Sequence, residues 1–332
     1  MNMVEMLREA EKYKQRLEEE LRNVIPTEGI KNFHDAMHYH LSTGGKKLRP
    51  VLALLTARAL GVEEEKVMPF AIACEILHNW LLIHDDIEDG DTVRRGRPAV
   101  WVKYGLAHGI NVGDGMAHYA IKSILKCRER GVPDETVFHL LEAYVDAAIK
   151  TAEGQAMEIN LRDNNNPTEE EYMRMVIGKT AHYLTLPVVG AAIIAGMDED
   201  GINRIVEYGK CVGPAFQIRD DIIDLTEGKG RDDIGNDIRE GKRSILVVYA
   251  LEVASEEERN KLIEILNKPR EKTTKEDVLW VAELFSKTRA IERANRKAEE
   301  LVEKAKDVIS PLPEQLREIL EAMADYMITR KT

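Results

Sequence analysis

The chain has 332 residues, 44% of them hydrophobic and 32% charged, as expected of a globular protein with a sizeable core. Its net charge of −12 and the lack of a long Lys/Arg block argue against nucleic-acid binding. Three scattered cysteines without CxxC spacing argue against a disulfide scaffold and favour a reducing compartment. The charged N-terminus is unlike a signal peptide, and the most apolar stretch, LPVVGAAIIAG, is too short to span a bilayer. We therefore expect a cytoplasmic protein without an integral membrane segment.

Apolar residues recur at intervals of three and four along most of the chain, and strand alternation is nearly absent. The pattern predicts an all-α fold in a single domain over residues 1–332. Capping-box sequences at residues 168–171 (TEEE) and 274–277 (TKED) support two helix starts. Helices are predicted at residues 3–24, 67–88, 135–160, 169–195, 202–225, 243–253, 256–267, 275–307 and 313–330.

Clustered cations occupy the glycine-containing breaks between these helices. Glycine lets backbone approach a ligand closely, and arginine and lysine suit phosphate oxygens. A surface charge is the simpler interpretation of any single pair. The clusters are GGKKLRP from residue 44, TVRRGRP from residue 92, IGKT from residue 177, EGKGR from residue 227 and REGKRS from residue 239.

The stretch LIHDDIEDG at residues 82–90 is echoed by QIRDDIIDL at residues 217–225, so DDxxD occurs twice. On a helix, Asp85 and Asp89 share one face with about 5–6 Å between their Cβ atoms, and so do Asp220 and Asp224. Unpaired carboxylates at this spacing repel, whereas Mg²⁺ with waters and phosphate oxygens removes the repulsion. A solvated acidic helix end explains one such motif well but two poorly. With the cation clusters, the pair predicts two diphosphates held side by side.

The segments GGKKLRP, ILHNWLLIHDDIEDGDTVRRGRP, GKT, FQIRDDIIDL and GNDIREGKRS resemble, in order, the motifs of the trans-isoprenyl diphosphate synthases, the polyprenyl synthetase family. The resemblance implies a helical bundle around a deep central cavity, usually in a homodimer. It implies Mg²⁺-dependent head-to-tail condensation of isopentenyl diphosphate with allylic diphosphates. Two or three Mg²⁺ ions are expected, with Mn²⁺ able to substitute.

The resemblance also assigns roles to the acidic and catalytic residues. The metal-binding carboxylates would be Asp85, Asp86, Asp89, Asp220, Asp221 and Asp224, with Asp86, Asp221 and Asp224 in supporting positions. The catalytic set would be Asp85, Asp89, Asp220, Lys179, Thr180 and Gln217. Leaving-group stabilisation by Mg²⁺ and cations would ionise the allylic diphosphate, and the dipoles of Thr180 and Gln217 could stabilise the carbocation.

The two diphosphates would have separate binding residues. Isopentenyl diphosphate would be held by Lys46, Arg49, His78 and Arg95. The allylic diphosphate would be held by Arg94, Lys179, Thr180, Gln217 and Lys242. One departure from the family pattern is Asp232, which stands where the family often has lysine; Lys229 or Arg231 could substitute for it.

Product length in this family depends on positions four and five before the first aspartate, here Leu81 and Trp80. A bulky Trp80 would close the floor of a hydrocarbon tunnel, which predicts a geranylgeranyl product, with farnesyl or a longer chain as the alternative. The other interpretation is that Trp80 is ordinary core and that the floor lies near Met116 and Tyr119.

Other functions stay open at this point. The pairs His34–Asp35 and His84–Asp85 would suit an HD-type metal phosphohydrolase, and His34, His38 and His40 have spacing compatible with zinc. A phosphohydrolase function would leave the second DDxxD unexplained. A regulatory subunit of a heteromeric prenyl synthase usually loses one DDxxD, and a terpene cyclase needs no isopentenyl site.

Overall fold

The computed structural model describes residues 3–226 and 234–329, and these are predominantly helical. The all-α prediction is confirmed. The helices are α1 Met3–Val24, α2 His34–Leu41, α3 Leu48–Ala59, α4 Glu64–Glu88, α5 Val100–Tyr104, α6 Leu106–Leu125, α7 Asp134–Leu161, α8 Glu169–Val176, α9 His182–Ile194, α10 Glu199–Thr226, α11 Asn236–Arg239, α12 Ile245–Val253, α13 Glu256–Leu266, α14 Lys275–Lys287, α15 Ala290–Ile309 and α16 Glu314–Thr329.

Short irregular pieces complete the described chain. Lys126–Arg130 and Arg270–Lys272 form 3₁₀ turns, and Ile177–Ala181 forms a π-helical turn between α8 and α9. Two short strands, β1 Val93–Arg94 and β2 Arg97–Pro98, pair antiparallel as a hairpin.

Local signals in the sequence account for several helix starts. Thr168, Ser255 and Thr274 each form a complete capping box, in which the side-chain oxygen accepts from the third helical N–H and the acidic side chain accepts in return. The predictions at residues 168 and 274 are thus confirmed.

The long helix predicted over residues 275–307 is wrong as one element. It breaks between α14 and α15, where Arg289 adopts a left-handed φ of +56° that cannot continue a helix. The predicted helices also omitted α2, α3, α5, α6 and α11. In α6 the apolar pattern is interrupted by Gly109, Gly113 and Gly115, and glycine is a poor helix former.

By compactness the chain divides into two units. Unit 1 comprises Met1–Ala148, Tyr183–Val206 and Ile309–Met323. Unit 2 comprises Ile149–His182, Glu207–Val308 and Ala324–Thr332. The single functional domain over residues 1–332 stays a prediction.

The core of unit 1 is built around α4, which packs against α3 and α6. Every residue from Val67 to Leu77 is buried. Gly190 lets α9 approach this helix, because a Cβ there would lie 1.9 Å from the Phe70 ring. In unit 2, α12 packs against α8 and α14, and α11 packs against α13 and α14. Each unit therefore holds one DDxxD on a helix with its own packed surroundings.

Two segments, Glu64–Glu88 and Glu169–Ile194, have the length and hydropathy to cross a membrane. Within the most apolar window of each, 72% and 61% of the residues are buried inside the protein. This burial is typical of core helices in a soluble fold, and length and composition alone are weak evidence for a membrane span.

Candidate active site

The first DDxxD lies where α4 ends, and its three aspartates differ in exposure. The Asp85 side chain is 24% exposed, whereas Asp86 is fully buried and Asp89 is 6% exposed. Asp89 caps the helix, its N–H donating to the Asp85 carbonyl over 2.9 Å. The helix terminus thus presents Asp85 outward and turns Asp86 into the protein.

Asp86 is paired with Arg94 of the β-hairpin. Arg94 donates from Nε to Asp86 Oδ1 over 2.8 Å, and its Nη2 contacts the same oxygen. The guanidinium also lies 3.9 Å from Asp85 Oδ2 and from Asp91 Oδ2. Burial raises the pKa of Asp86 to about 6, although the Arg94 charge opposes the rise. Arg94 is therefore directed at the acidic motif by a buried ion pair.

The loop GGKKLRP precedes α3 and lies beside the hairpin arginine Arg95. The Arg95 guanidinium donates to the Gly44 carbonyl, and a Cβ on Gly45 would lie 3.0 Å from that guanidinium. Gly45 has a φ of +120°, a conformation that other residues rarely adopt. The double glycine thus makes room for Arg95, and Lys46 is exposed on the same loop.

The two cation motifs GGKKLRP and TVRRGRP each contain a residue with strained backbone. Among the described residues, four non-glycines have positive φ, and two of them, Lys47 at +49° and Arg95 at +53°, belong to the two cation motifs of unit 1. Such conformations persist only where the surroundings enforce them.

A buried glutamate holds Lys47 in its strained position. Lys47 Nζ lies 2.8 Å from Glu75 Oε1, with both side chains less than 10% exposed, and Asn79 Nδ2 donates to the same oxygen over 2.9 Å. Burial alone would raise the pKa of Glu75, but the Lys47 charge and these hydrogen bonds outweigh it, so the pKa is lowered. Glu75 is thus an ionised anchor for the loop.

Arg49 and His78 meet at one aromatic ring. The Arg49 guanidinium carbon lies 4.9 Å from the Tyr183 ring centroid, and the His78 ring stacks on Tyr183 at 6.3 Å with an interplanar angle of 9°. Burial and then the charges of Arg49, Arg95 and Arg94 hold the pKa of His78 well below its usual range. His78 is therefore neutral, and it lies within reach of the charges of Arg49 and Arg95, two of the other residues predicted to hold isopentenyl diphosphate.

The second DDxxD lies near the C-terminal end of α10, and its middle aspartate accepts hydrogen bonds from two uncharged side chains. Tyr172 donates its hydroxyl to Asp221 Oδ2 over 2.8 Å, and Gln217 donates from Nε2 to Asp221 Oδ1 over 2.9 Å. Asp221 is 5% exposed, and Tyr172 is 1% exposed. Both oxygens of Asp221 thus accept hydrogen bonds within unit 2.

The flanking aspartates have different surroundings. Asp224 is 1% exposed, and its Oδ2 accepts from the Asp237 backbone N–H over 3.0 Å. Its carbonyl accepts from the Gly235 N–H over 2.9 Å, which ties the end of α10 to α11. Asp220 is half-buried.

Two predicted cations of unit 2 surround the buried Glu158. Lys179 Nζ donates to Glu158 Oε1 over 2.9 Å, and Lys242 Nζ lies 3.9 Å from the same oxygen. Lys242 also lies 2.7 Å from Glu240 Oε2 and 3.7 Å from Asp237 Oδ1. Glu158 therefore gathers both lysines of the predicted allylic site, with Thr180 buried next to Lys179.

A π-helical turn carries Lys179 and Thr180, and it packs closely on α7. A Cβ on Gly154 would lie 2.0 Å from the Lys179 backbone nitrogen, so only glycine fits at this crossing. π turns occur often at functional sites because the extra residue redirects side chains. Lys229, Arg231 and Asp232 lie outside the described residues.

The predicted chain-length residues Trp80 and Leu81 lie on α4, and both are half-buried. The Trp80 ring meets His84 edge-on at 5.7 Å. His84 fills the space above Gly113 of α6, where a Cβ would lie 2.2 Å from its ring. Of the other proposed floor residues, Met116 is fully buried.

The histidines of the alternative functions are engaged in packing. His34 Nδ1 accepts from the Ile30 N–H over 3.0 Å, and its Nε2 lies 2.9 Å from the Tyr119 hydroxyl. His38 Nε2 bonds the Pro26 carbonyl over 3.0 Å, and His84 Nε2 lies 3.2 Å from the Ile110 carbonyl. These contacts support neither a zinc site nor an HD-type site.

The family model described as polyprenyl synthetase matches residues 30–284. The chain belongs to the polyprenyl synthetase family. A curated relative from Methanothermobacter thermautotrophicus, a short chain isoprenyl diphosphate synthase, is 36% identical over 99% of this chain and 100% of its own length. This membership confirms the prediction of a prenyltransferase that makes isoprenyl diphosphates.

Solved structures of this family share the fold. The geranylgeranyl pyrophosphate synthetase of Pyrococcus horikoshii is 30% identical, with a TM-score of 0.89 and 99% of each chain covered. A polyprenyl synthase of Caulobacter crescentus, solved with calcium and isoprenyl diphosphate, is 26% identical, with a TM-score of 0.87 and 98% and 97% of the two chains covered.

Three residues near the motifs escaped the sequence analysis: Glu75, Glu158 and Tyr172. Glu75 could have been noticed, since it is the only charge within the apolar run AIACEILHNW of α4. Glu158 and Tyr172 stand in ordinary amphipathic patterns on α7 and α8 and carry no local signal.

Proposed function

We propose that this polyprenyl synthetase is a Mg²⁺-dependent short-chain synthase that joins isopentenyl diphosphate to allylic diphosphates and makes geranylgeranyl diphosphate. The observation that carries the proposal is the repeated DDxxD with motif cations nearby in the same unit. Arg94 pairs with Asp86 of the first motif. Lys242 lies 3.7 Å from Asp237, whose backbone N–H donates to Asp224 of the second motif, and Lys179 shares Glu158 with Lys242.

The donor set fits Mg²⁺. In each motif the outer aspartates are one helical turn apart. Mg²⁺ prefers oxygen ligands, and one or two carboxylates together with water and phosphate oxygens complete its coordination. Asp85 and Asp89 would hold it at the first motif, and Asp220 and Asp224 at the second. We propose two or three ions, with Mn²⁺ as a substitute. When bound, Mg²⁺ supplies positive charge that stabilises the leaving diphosphate.

The protein's cations bind the two diphosphates in this proposal. Lys179 and Lys242 exchange their contacts with Glu158 and Glu240 for allylic diphosphate oxygens, and Arg94 adds a guanidinium fork. Lys46, Arg49 and Arg95 hold isopentenyl diphosphate. His78, kept neutral by its surroundings, donates a hydrogen bond to that diphosphate. Each substrate is thus oriented before any bond breaks.

The carbon–oxygen bond of the allylic diphosphate then ionises, and the isopentenyl double bond attacks the allylic cation. Thr180 and Gln217 stabilise the cation with their oxygen dipoles. The proposal requires apolar surroundings that exclude water, which would otherwise capture the cation. The released diphosphate accepts the proton lost after the new carbon–carbon bond has formed.

We propose Trp80 as the side chain that stops chain growth, with Leu81 beside it. Both lie about one turn before Asp85, and neither is fully buried, which fits side chains that border a tunnel rather than a closed core. A geranylgeranyl product follows from the bulk of the indole; a farnesyl product would place the stop closer to Asp85.

We further propose a cytoplasmic homodimer. The support is a set of exposed apolar side chains on α5, α6 and α7 of unit 1, which water does not favour and a second copy could cover. They are Val102, Leu106, Ile110, Phe138 and Val145. Sedimentation of Phe138→Glu beside the unchanged chain tests the dimer, because a charge at the contact should shift the species to half its mass.

The test of the activity is one incubation with labelled isopentenyl diphosphate and dimethylallyl, geranyl or farnesyl diphosphate. Chromatography of the dephosphorylated products should give mainly a C20 alcohol. A main product of C15 or C25 would correct the length alone. Failure to extend any primer, or release of inorganic phosphate from nucleotides, would contradict the proposed function.

A further inference from the structure

The carboxylate of Asp221 lies between two uncharged donors, one from α8 and one from its own helix. The Tyr172 hydroxyl is 2.8 Å from Oδ2, and the Gln217 amide nitrogen is 2.9 Å from Oδ1. Gln217 stands four residues before Asp221, so the two side chains share a face of α10. All three residues belong to unit 2.

The chemistry of this chain of hydrogen bonds fixes the orientation of the Gln217 amide. An ionised carboxylate can only accept hydrogen bonds, so the amide must turn its NH₂ group towards Asp221. The amide oxygen Oε1 then turns away from Asp221. If the amide were flipped, Oε1 would face a buried anionic oxygen, which is repulsive.

Tyr172 is placed to keep Asp221 in this role. The capping box at Thr168 starts α8, and the Tyr172 N–H donates to the Thr168 carbonyl over 3.1 Å, which sets the first turn of the helix. Burial and then the Asp221 charge raise the pKa of Tyr172 well above its usual value, so its hydroxyl stays protonated and donates. Donors at both oxygens hold the carboxylate plane.

We propose that Tyr172 is a positioning residue, which acts through Asp221 to hold the Gln217 amide with Oε1 towards the allylic cation. This inference rests on the proposed function. It assigns Asp221 to the orientation of Gln217 rather than to direct metal binding. A misoriented amide would present its NH₂ group, with its positive dipole end, to the developing cation and would raise the barrier to ionisation.

The test is Tyr172→Phe, which keeps the ring and removes only the hydroxyl. We expect kcat to fall about 10–100-fold, as for other residues that orient a group contacting the reacting atoms, with the KM for the allylic substrate nearly unchanged. The matched control is Tyr249→Phe, because Tyr249 is also a buried tyrosine of unit 2, where burial and then the Glu169 charge raise the pKa of its hydroxyl. The control should retain kcat while losing comparable thermal stability.

A double-mutant cycle separates positioning from general loosening. In a Gln217→Ala background, Tyr172→Phe should change kcat by less than about twofold, because the group that it orients is gone. Additive losses, an equal kcat loss in Tyr249→Phe, or a rise in KM without a fall in kcat would overturn the role of Tyr172. Since the unchanged enzyme is assayed in parallel, failure of the proposed function would appear separately, as absence of prenyl product from every form.

Discussion

Asp86 and Asp221 occupy the same place in the two DDxxD motifs, yet they accept hydrogen bonds from different kinds of donor. Asp86 is paired with the Arg94 guanidinium, whereas Asp221 accepts from a tyrosine hydroxyl and a glutamine amide. A guanidinium beside the first motif adds positive charge where a diphosphate would bind. At the second motif, a hydroxyl and an amide donate to Asp221, and we propose that this carboxylate orients Gln217. Equal sequence spacing therefore does not mean equal function.

The two units also resemble each other in one respect. In each, a buried glutamate holds a lysine of a cation motif, Glu75 with Lys47 in unit 1 and Glu158 with Lys179 in unit 2. Such pairs keep a flexible side chain in one geometry before an anionic ligand arrives, which lowers the entropy lost on binding. Lys47 differs in being nearly fully buried, so we expect it to shape the loop rather than to contact substrate.

The largest expected effect is loss of either first aspartate. Asp85→Ala and Asp220→Ala should each lower turnover by about 10²–10³-fold or more, because each removes charge stabilisation that the transition state requires. Thermal unfolding should change little, since removing one of several like charges rarely destabilises. Asp146→Ala, at an exposed aspartate of α7, is the control and should retain turnover. Turnover retained by either motif variant would mean that its motif is not part of the reaction.

The contrast between the Arg94 and Tyr172 hydrogen bonds can be tested by the free energy of unfolding. Arg94→Ala leaves Asp86 buried without its counter-charge and should lower the free energy of unfolding by about 3 kcal/mol. Tyr172→Phe removes one neutral donor and should lower it by about 1–2 kcal/mol. Urea denaturation of both variants without metal measures the difference. Equal losses would remove the distinction drawn between the two motifs.

Steady-state kinetics should divide the cations by substrate. Lys46→Ala and Arg95→Ala should raise the KM for isopentenyl diphosphate about 10-fold or more, the expected effect of losing one hydrogen bond between charged groups. Arg94→Ala and Lys179→Ala should do the same for the allylic diphosphate. Indistinguishable effects of all four variants on both substrates would refute the assignment of two separate sites.

The smallest expected effect is on product length. Trp80→Ala should lengthen the product by at least one isoprene unit, and Leu81→Phe should shorten it. The stability lost in Trp80→Ala should stay below the ~3–5 kcal/mol typical of a fully packed aromatic side chain, because the indole is only half-buried. Trp280→Ala, at another half-buried tryptophan, is the control and should leave product length unchanged. An unchanged product with a large stability loss in Trp80→Ala would place the floor elsewhere.

Most helices and the position of both motifs could be predicted from sequence, because apolar periodicity and capping boxes are local signals. Helix α1 begins and ends where the pattern does, and Thr168 and Thr274 start helices as their sequences indicate. Helix α6 could not be recognised from the sequence, because its glycines lower the local preference for helix. Packing against α4 stabilises the helix nevertheless. The break at Arg289 depends on a backbone conformation that carries no residue-type signal there.

Residues that support the motifs were harder to predict than the motifs themselves. Asp221 and Gln217 are four apart and could be paired from the sequence, but Tyr172 reaches Asp221 across 49 positions of sequence. Glu158 and Lys179 are likewise joined only by the packing of α7 on the π turn. Such contacts follow from helix packing, and a single sequence does not encode them in any short pattern.

The most direct test of the central claim is metal dependence of prenyl transfer by the unchanged chain. EDTA should abolish incorporation of labelled isopentenyl diphosphate into acid-labile prenyl product, and excess Mg²⁺ or Mn²⁺ should restore it. The physical reason is that the carboxylates of the two motifs cannot approach a diphosphate without cations between them. Product formation that persists at full rate in metal-free buffer would contradict the claim that both DDxxD motifs bind metal for one reaction.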